Sequence, residues 1–233
     1  TLAEARASLA FIRYLYDWDW EAAEKEFIRA IEINPNYAIS RQYYAQFLSS
    51  MGRSDEALME IRRAQELDPL SLVISANEGF FLFFARQYDL AIAQCRKTLE
   101  MDPNFLVAHL FLLDCYYQKG LDEEVRAEFQ IIKEIVGEAA ALPHIWAVVT
   151  SRSEALEAIN KLEKLSEQRY VGAANFALVY ASFGEMDKAF QWMEKAYEQR
   201  DSWFPYLKMG PPFDILRDDP RYQDLLRRMN FPE

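Results

Sequence analysis

Glycine is scarce in this chain, with 7 among 233 residues, and proline reaches only 9. All-β folds spend both on tight turns, so the shortage disfavours a sandwich or barrel and favours long helices. Two cysteines, Cys95 and Cys115, are too few for a disulfide scaffold or a four-ligand zinc site. They predict a reducing, cytoplasmic setting. No apolar run approaches the roughly 18 residues that a transmembrane helix needs. Neither histidine, His109 or His144, has a second His or Cys three or four residues away, so no metal site is expected. A phosphate-cradling glycine loop and a nucleophile elbow are both absent, so no cofactor and no catalysis are expected. Basic charge is also short. Lys and Arg total 26 against 37 Asp and Glu, a net charge of −11, which repels nucleic acid and anionic membranes. The acidic run Asp122-Glu123-Glu124 suits a helix start, where carboxylates meet the positive end of the helix dipole.

What the chain does have is periodicity. Pro35, Pro69 and Pro103 stand 34 residues apart, each after an acidic or amide residue: Asn34-Pro35, Asp68-Pro69, Asp102-Pro103. Ala23, Ala57, Ala91 and Val125 keep the same 34-residue step. Ala155 follows after 30 residues, which predicts four missing near 137–142, and Ala189 restores the step of 34. Each unit reads as two helices. In the second unit the first helix is expected from Tyr37 to Met51, ended by Gly52, because glycine takes the left-handed conformation cheaply. The second helix is expected from Ser54 to Leu67, with Ser54 as N-cap and Asp68-Pro69 as terminator. Gly120 and Gly184 repeat the Gly52 role, and Trp18, Arg86 and Thr150 occupy it elsewhere. Second helices carry a small, large, small stripe: Ala23/Phe27/Ala30, Ala57/Ile61/Ala64, Ala91/Cys95/Thr98, Val125/Phe129/Ile132, Ala155/Ile159/Leu162, Ala189/Met193/Ala196. Small residues at fixed places on a 3.6-residue stripe mean close helix–helix packing.

This spacing resembles the tetratricopeptide repeat over about residues 4–200, with the family's usual opening signature degenerate. The resemblance implies an all-α, right-handed solenoid of about six hairpins over 1–200, with units 4–35, 36–69, 70–103, 104–136, 137–168 and 169–200. Residues 201–233 break the pattern at Pro205, Pro211 and Pro212. Asp219-Pro220 starts a helix reaching about Met229, and the segment is expected to cap the solenoid with a polar outer face. The stretch "YDWDWEAAEKEFIRAIEINPNY" and the tail "LKMGPPFDILRDDPRYQDLLRRM" also resemble bacterial multidomain proteins that join such repeats to a winged-helix or serine/threonine kinase domain. Because the chain opens inside a helical pattern without Met, a piece of a longer protein is expected.

In that family the first helices line an inner groove. Carried over by register, the groove comprises Gln42, Tyr43, Gln46, Ala76, Asn77, Phe80, Phe84, Leu110, Phe111, Asp114, Tyr117, His144, Asn175 and Leu178. Tyr43, Gln46, Asn77, Phe80, Phe84, Phe111, Asp114 and Tyr117 form its candidate binding strip. The helix at 71–85 is apolar nearly all round in its C-terminal half and needs cover on both sides. Its aromatics either pack the first helices together or accept an apolar helix or peptide. With no Lys or Arg at these places, an acidic peptide tail is a poor fit. The expected function is a non-catalytic scaffold for a protein or peptide partner. The alternatives are the regulatory region of a transcription regulator or kinase, and self-association through the aromatic helix.

Overall fold

The computed structural model describes residues 2–136, 151–166 and 171–232. Among them every regular element is helical. Helix α1 (Leu2–Ile12) runs into a wide π turn (Arg13–Asp17) and pairs with α2 (Trp20–Ile33). Three further hairpins follow: α3 (Ala38–Ser50) with α4 (Ser54–Leu67), α5 (Leu72–Phe84) with α6 (Tyr88–Met101), and α7 (Leu106–Gln118) with α8 (Asp122–Val136). Then come α9 (Arg152–Ser166), α10 (Ala173–Ser182) and α11 (Met186–Glu198). Two 3-10 turns (Phe204–Tyr206, Pro211–Leu216) lead to α12 (Pro220–Arg228). The hairpins stack as a right-handed solenoid.

Local chemistry explains the regularity. Trp18, Gly52, Arg86, Gly120 and Gly184 all take positive φ, between 56° and 81°, at the turn between paired helices. Behind this left-handed residue the next N–H returns to a carbonyl five residues earlier, as from Arg53 to Leu48, Gln87 to Leu82, Leu121 to Tyr116 and Glu185 to Tyr180, at 2.9–3.0 Å. The second helices end where Asn34, Asp68 and Asp102 close on Ala30, Ala64 and Thr98, ahead of each proline. The stripe residues Ala23, Phe27, Ala30, Ala57, Ile61, Ala64, Ala91 and Cys95 are fully buried.

One expectation needs correction, and one feature was not expected. Ser54 is the first residue of α4, not its cap; Arg53 holds that place without a side-chain cap bond. The first unit is also out of phase by one residue in α1. Its hairpin bond runs from Asp19 to Arg13, six residues back instead of five, because the π turn takes up one residue more. Ala10 therefore occupies the buried place of Ala45 and Gly79, and Phe11 that of Gln46 and Phe80. Ring geometry agrees. Phe11 stacks on Tyr43 at 4.3 Å and 21°, as Phe80 stacks on Phe111 at 4.6 Å and 27°. The deletion near 137–142, together with His144 and Thr150, lies outside the described residues.

The C-terminal segment does two things. Helix α12, capped by Asp219, lies on α11, burying Tyr222 and Leu225. Arg221 covers Phe190 at 4.2 Å and pairs with Asp187, and Arg228 covers Tyr197 at 4.0 Å and pairs with Glu194. That is a polar outer face over an apolar contact. The stretch before it, Trp203–Leu216, turns into the solenoid. The chain's end then meets its beginning: Trp18 packs on Tyr197 and Phe204, Trp20 stacks on Phe231 at 4.7 Å, and the Trp20 indole donates to Met229 O at 3.0 Å.

Candidate functional site

Helix α5 is apolar on nearly every side, so its neighbours decide what its four C-terminal phenylalanines do. Phe81 and Phe83 face the core and are fully buried. Phe80 and Phe84 point to the inner surface, yet they are only 7% and 2% exposed. Their cover is the chain's own segment. Tyr206 meets Phe80 at 5.4 Å and Phe84 at 4.8 Å, and Trp203 meets Phe80 edge-on at 6.5 Å. Arg86 fastens the segment from the turn after α5, donating through both Nη atoms to Asp214 at 2.7 and 2.8 Å. Arg217 donates to Asp214 and to the carbonyl of Lys208, which holds the strand of chain between them.

The segment divides the inner surface. On one side remains a cavity of about 340 Å³ lined by Phe11, Leu15, Gln46, Asn77, Phe80, Phe111, Ser202, Trp203 and Tyr206. Its wall is aromatic and its polar groups, Gln46, Asn77 and Ser202, are all neutral. On the other side a smaller space of about 170 Å³ lies between Tyr117, Gln118, Leu178 and Ser182 and the Pro211–Ile215 stretch. Of the sequence-derived strip, Gln46, Asn77, Phe80 and Phe111 share the first cavity. Tyr43 adjoins it through its stack on Phe11. Phe84 lies beneath Tyr206, Tyr117 faces the second space, and Asp114 is buried near Tyr117 and the two thiols. Burial, and after it the Asp114 carboxylate, pushes the Tyr117 phenol upward. The phenols of Tyr14 and Tyr206 face each other below the first cavity, and burial holds both far above their ordinary range, so both stay neutral.

Register alone does not find Phe11 and Leu15, because the π turn shifts their phase. Nor does it find Ser202, Trp203 and Tyr206. For those the signal is compositional. The run Trp203-Phe204-Pro205-Tyr206-Leu207 is too apolar for an outward-facing cap.

The other chemical candidates have structural partners. His109 is buried, with Nδ1 on the Glu128 carboxylate and Nε2 donating to Pro103 O at 2.9 Å, so both ring nitrogens are engaged in pinning α7 to α8 and the preceding loop. Cys95 and Cys115 are free thiols, fully buried; burial pushes Cys95 up to about 12 and Cys115 up as well, which leaves neither nucleophilic. Among the described residues no three His, Cys, Asp or Glu side chains gather as metal ligands, and no helix is long and apolar enough to cross a membrane.

A tetratricopeptide-repeat family model matches residues 26–59, which cover the second half of α2, all of α3 and the start of α4. No curated protein matches the sequence. Several solved structures are similar in shape. PilW, described as a type IV pilus biogenesis factor, superposes with a TM-score of 0.61 at 19% identity, covering 97% of this chain and 99% of that one. A chain of the APC/C hetero-tetramer Cut9–Hcn1 gives 0.61 at 15%, covering 97% of this chain and 42% of its own. The protein MamA gives 0.50 at 14%, covering 88% and 95%. Identities this low establish the fold alone: the chain is a solenoid of tetratricopeptide-type helical hairpins.

Proposed function

We propose that this protein is a non-catalytic interaction scaffold whose inner surface takes apolar side chains of a helical or extended partner. The observation that supports this reading is the occupancy of that surface by Trp203 and Tyr206, whose rings lie edge-on or tilted 4.8–6.5 Å from Phe80 and Phe84 of α5. The adjoining cavity offers the same walls with room for one or two further side chains. Gln46 and Asn77 stand on successive inner helices, where amides suit a partner's backbone. Similarity to a subunit of the Cut9–Hcn1 assembly supports a scaffold role. Two buried free thiols support a reducing, cytoplasmic setting.

Among the described residues that line the site there is no cation, so a terminal carboxylate has no partner there. A helix with apolar anchors at i, i+4 and i+7, flanked by basic residues that suit the net −11, is the better match. Panning a helical peptide display library on the parent and on Phe111→Ala tests this. The parent should enrich apolar-anchored, basic-flanked helices, and Phe111→Ala should bind them about thirtyfold more weakly, the loss for about 2 kcal/mol at a central aromatic. Enrichment of acidic tails, or equal binding by the two baits, would sink the reading.

A further inference from the structure

The molecule covers many of the rings near its surface with its own cations. Arg200 lies over Trp18 at 3.7 Å, Arg228 over Tyr197 at 4.0 Å, and Arg221 over Phe190 and Lys195 over Trp192 at 4.2 Å. The inner cavity is different. Five rings line it, those of Phe11, Phe80, Phe111, Trp203 and Tyr206, and among the described residues no arginine or lysine lies over any of them. Phe11, Phe111 and Trp203 are half-buried and so within reach of an incoming group. The face of a ring carries the negative part of its quadrupole, and several rings around one space attract a cation. The net charge of −11 adds attraction at longer range. The polar part of the wall agrees. Gln46, Asn77 and Ser202 each bring an oxygen that accepts a hydrogen bond, and neither Asn77 nor Ser202 has a side-chain partner among the described residues.

We propose that this cavity is a guanidinium site, filled by one arginine of the partner. The proposal rests on reading the inner surface as a docking surface, and it names the side chain that the cavity selects. Other side chains fit less well. A lysine ammonium is compact and strongly hydrated, so it gives up more on leaving water. A fully methylated ammonium suits the rings but donates no hydrogen bond, which leaves Asn77 and Ser202 unpaired beneath it. An apolar side chain leaves them unpaired as well. A guanidinium stacks its plane on a ring and donates from its edge through five N–H groups. It meets the aromatic and the polar parts of the wall at once, with its methylene stem along Leu15.

Capped alanine tripeptides with arginine, citrulline, lysine or norleucine at the centre test this. They are titrated into the whole chain while NMR follows the Gln46 and Asn77 side-chain amides and the Trp203 indole. Citrulline is the neutral twin of arginine, lysine measures the general attraction of an acidic chain, and norleucine is the apolar occupant. The arginine tripeptide should shift all three signals and bind about tenfold more tightly than each of the others. Phe111→Leu keeps the apolar volume and removes one negative face. In a variant that circular dichroism shows to be folded, it should weaken the arginine tripeptide about fivefold and leave the norleucine tripeptide unchanged. The comparison on the parent stands without the variant. Equal binding of arginine and citrulline overturns the proposal, as do arginine shifts confined to other parts of the chain, or no binding by any tripeptide. A norleucine tripeptide that binds as tightly as the arginine one overturns it too, yet leaves the docking reading intact, which the display library tests on its own.

Discussion

Gly79 stands where α5 crosses α6, and a methyl group on it would come 2.7 Å from the Cys95 sulfur and 3.5 Å from the Ala91 carbonyl. Both neighbours are fully buried, so the clash has no easy outlet. Gly79→Ala should cost about 1–3 kcal/mol, and most of that should return in Gly79→Ala/Cys95→Ala, where the sulfur is gone. Urea unfolding of the four-member cycle measures the coupling; additive losses would mean that the sulfur is not the obstacle. The same burial makes the molecule sensitive to alkali. Cys95, with an ordinary value of 9.0, is pushed up to about 12 because its protonated form is favoured inside. A raised folded value contributes stability that is complete below 9 and is lost as pH rises through 12. Tyr14 and Tyr222 shift the same way for the same reason. Denaturant stability should therefore fall steadily above pH 9, and the slope should be shallower in Cys95→Ala; a flat profile would contradict the buried, neutral state of these groups. At this scale the sequence is a good guide to which residues are small and inward. It does not reveal that Gly79 exists for a sulfur, since that depends on the crossing distance of two helices.

At the scale of elements, the segment Trp203–Leu216 is what converts a groove into a lined cavity. Tyr206 touches Phe80, Phe84 and Trp203 and is nearly fully buried. Tyr206→Ala should cost roughly 3–5 kcal/mol and uncover the α5 rings, visible as new binding of an apolar dye. Arg86→Ala should cost about 1 kcal/mol or less, because its bidentate pair with Asp214 is half exposed and screened. A larger loss from Arg86→Ala than from Tyr206→Ala would mean that the ion pair, not the rings, holds the segment. The turn after α3, the end of α4 and the start of α12 follow directly from Gly52, Asp68-Pro69 and Asp219-Pro220, whose backbone preferences act within a few residues. The π turn of α1 does not, because no residue type demands it. It is the answer of the packed hairpin to one residue too many, and it becomes visible only when Phe11 is seen on Tyr43.

Taken as a whole molecule, a solenoid ordinarily passes stability only between neighbours. Here the C-terminal segment touches the first turn, α5 and α10 together, and one buried cluster joins α1–α3 to α10–α12. Ala91→Leu, which overpacks α6, should therefore lower the midpoint of a single sharp transition by the equivalent of about 1–3 kcal/mol, not broaden it. Ending the chain at Arg200 should broaden the melt, as unit-by-unit opening returns. Calorimetry of both decides the point, and a truncated chain that melts as sharply as the parent would show that the closure contributes nothing to cooperativity. The architecture is legible from the 34-residue step because each hairpin repeats the same local chemistry. The closure is not, because it joins residues with no periodic relation.

The hydrogen bond from the Trp20 indole to Met229 O links positions 209 residues apart. Proteins emerge from the ribosome N-terminus first, at about 5–20 residues per second. For roughly 10–40 s at that pace, the first hairpin must wait with Trp18 and Trp20 uncovered, while every later hairpin is made behind it. The two tryptophans thus stay uncovered until Tyr197, Phe204, Met229 and Phe231 are in place around them.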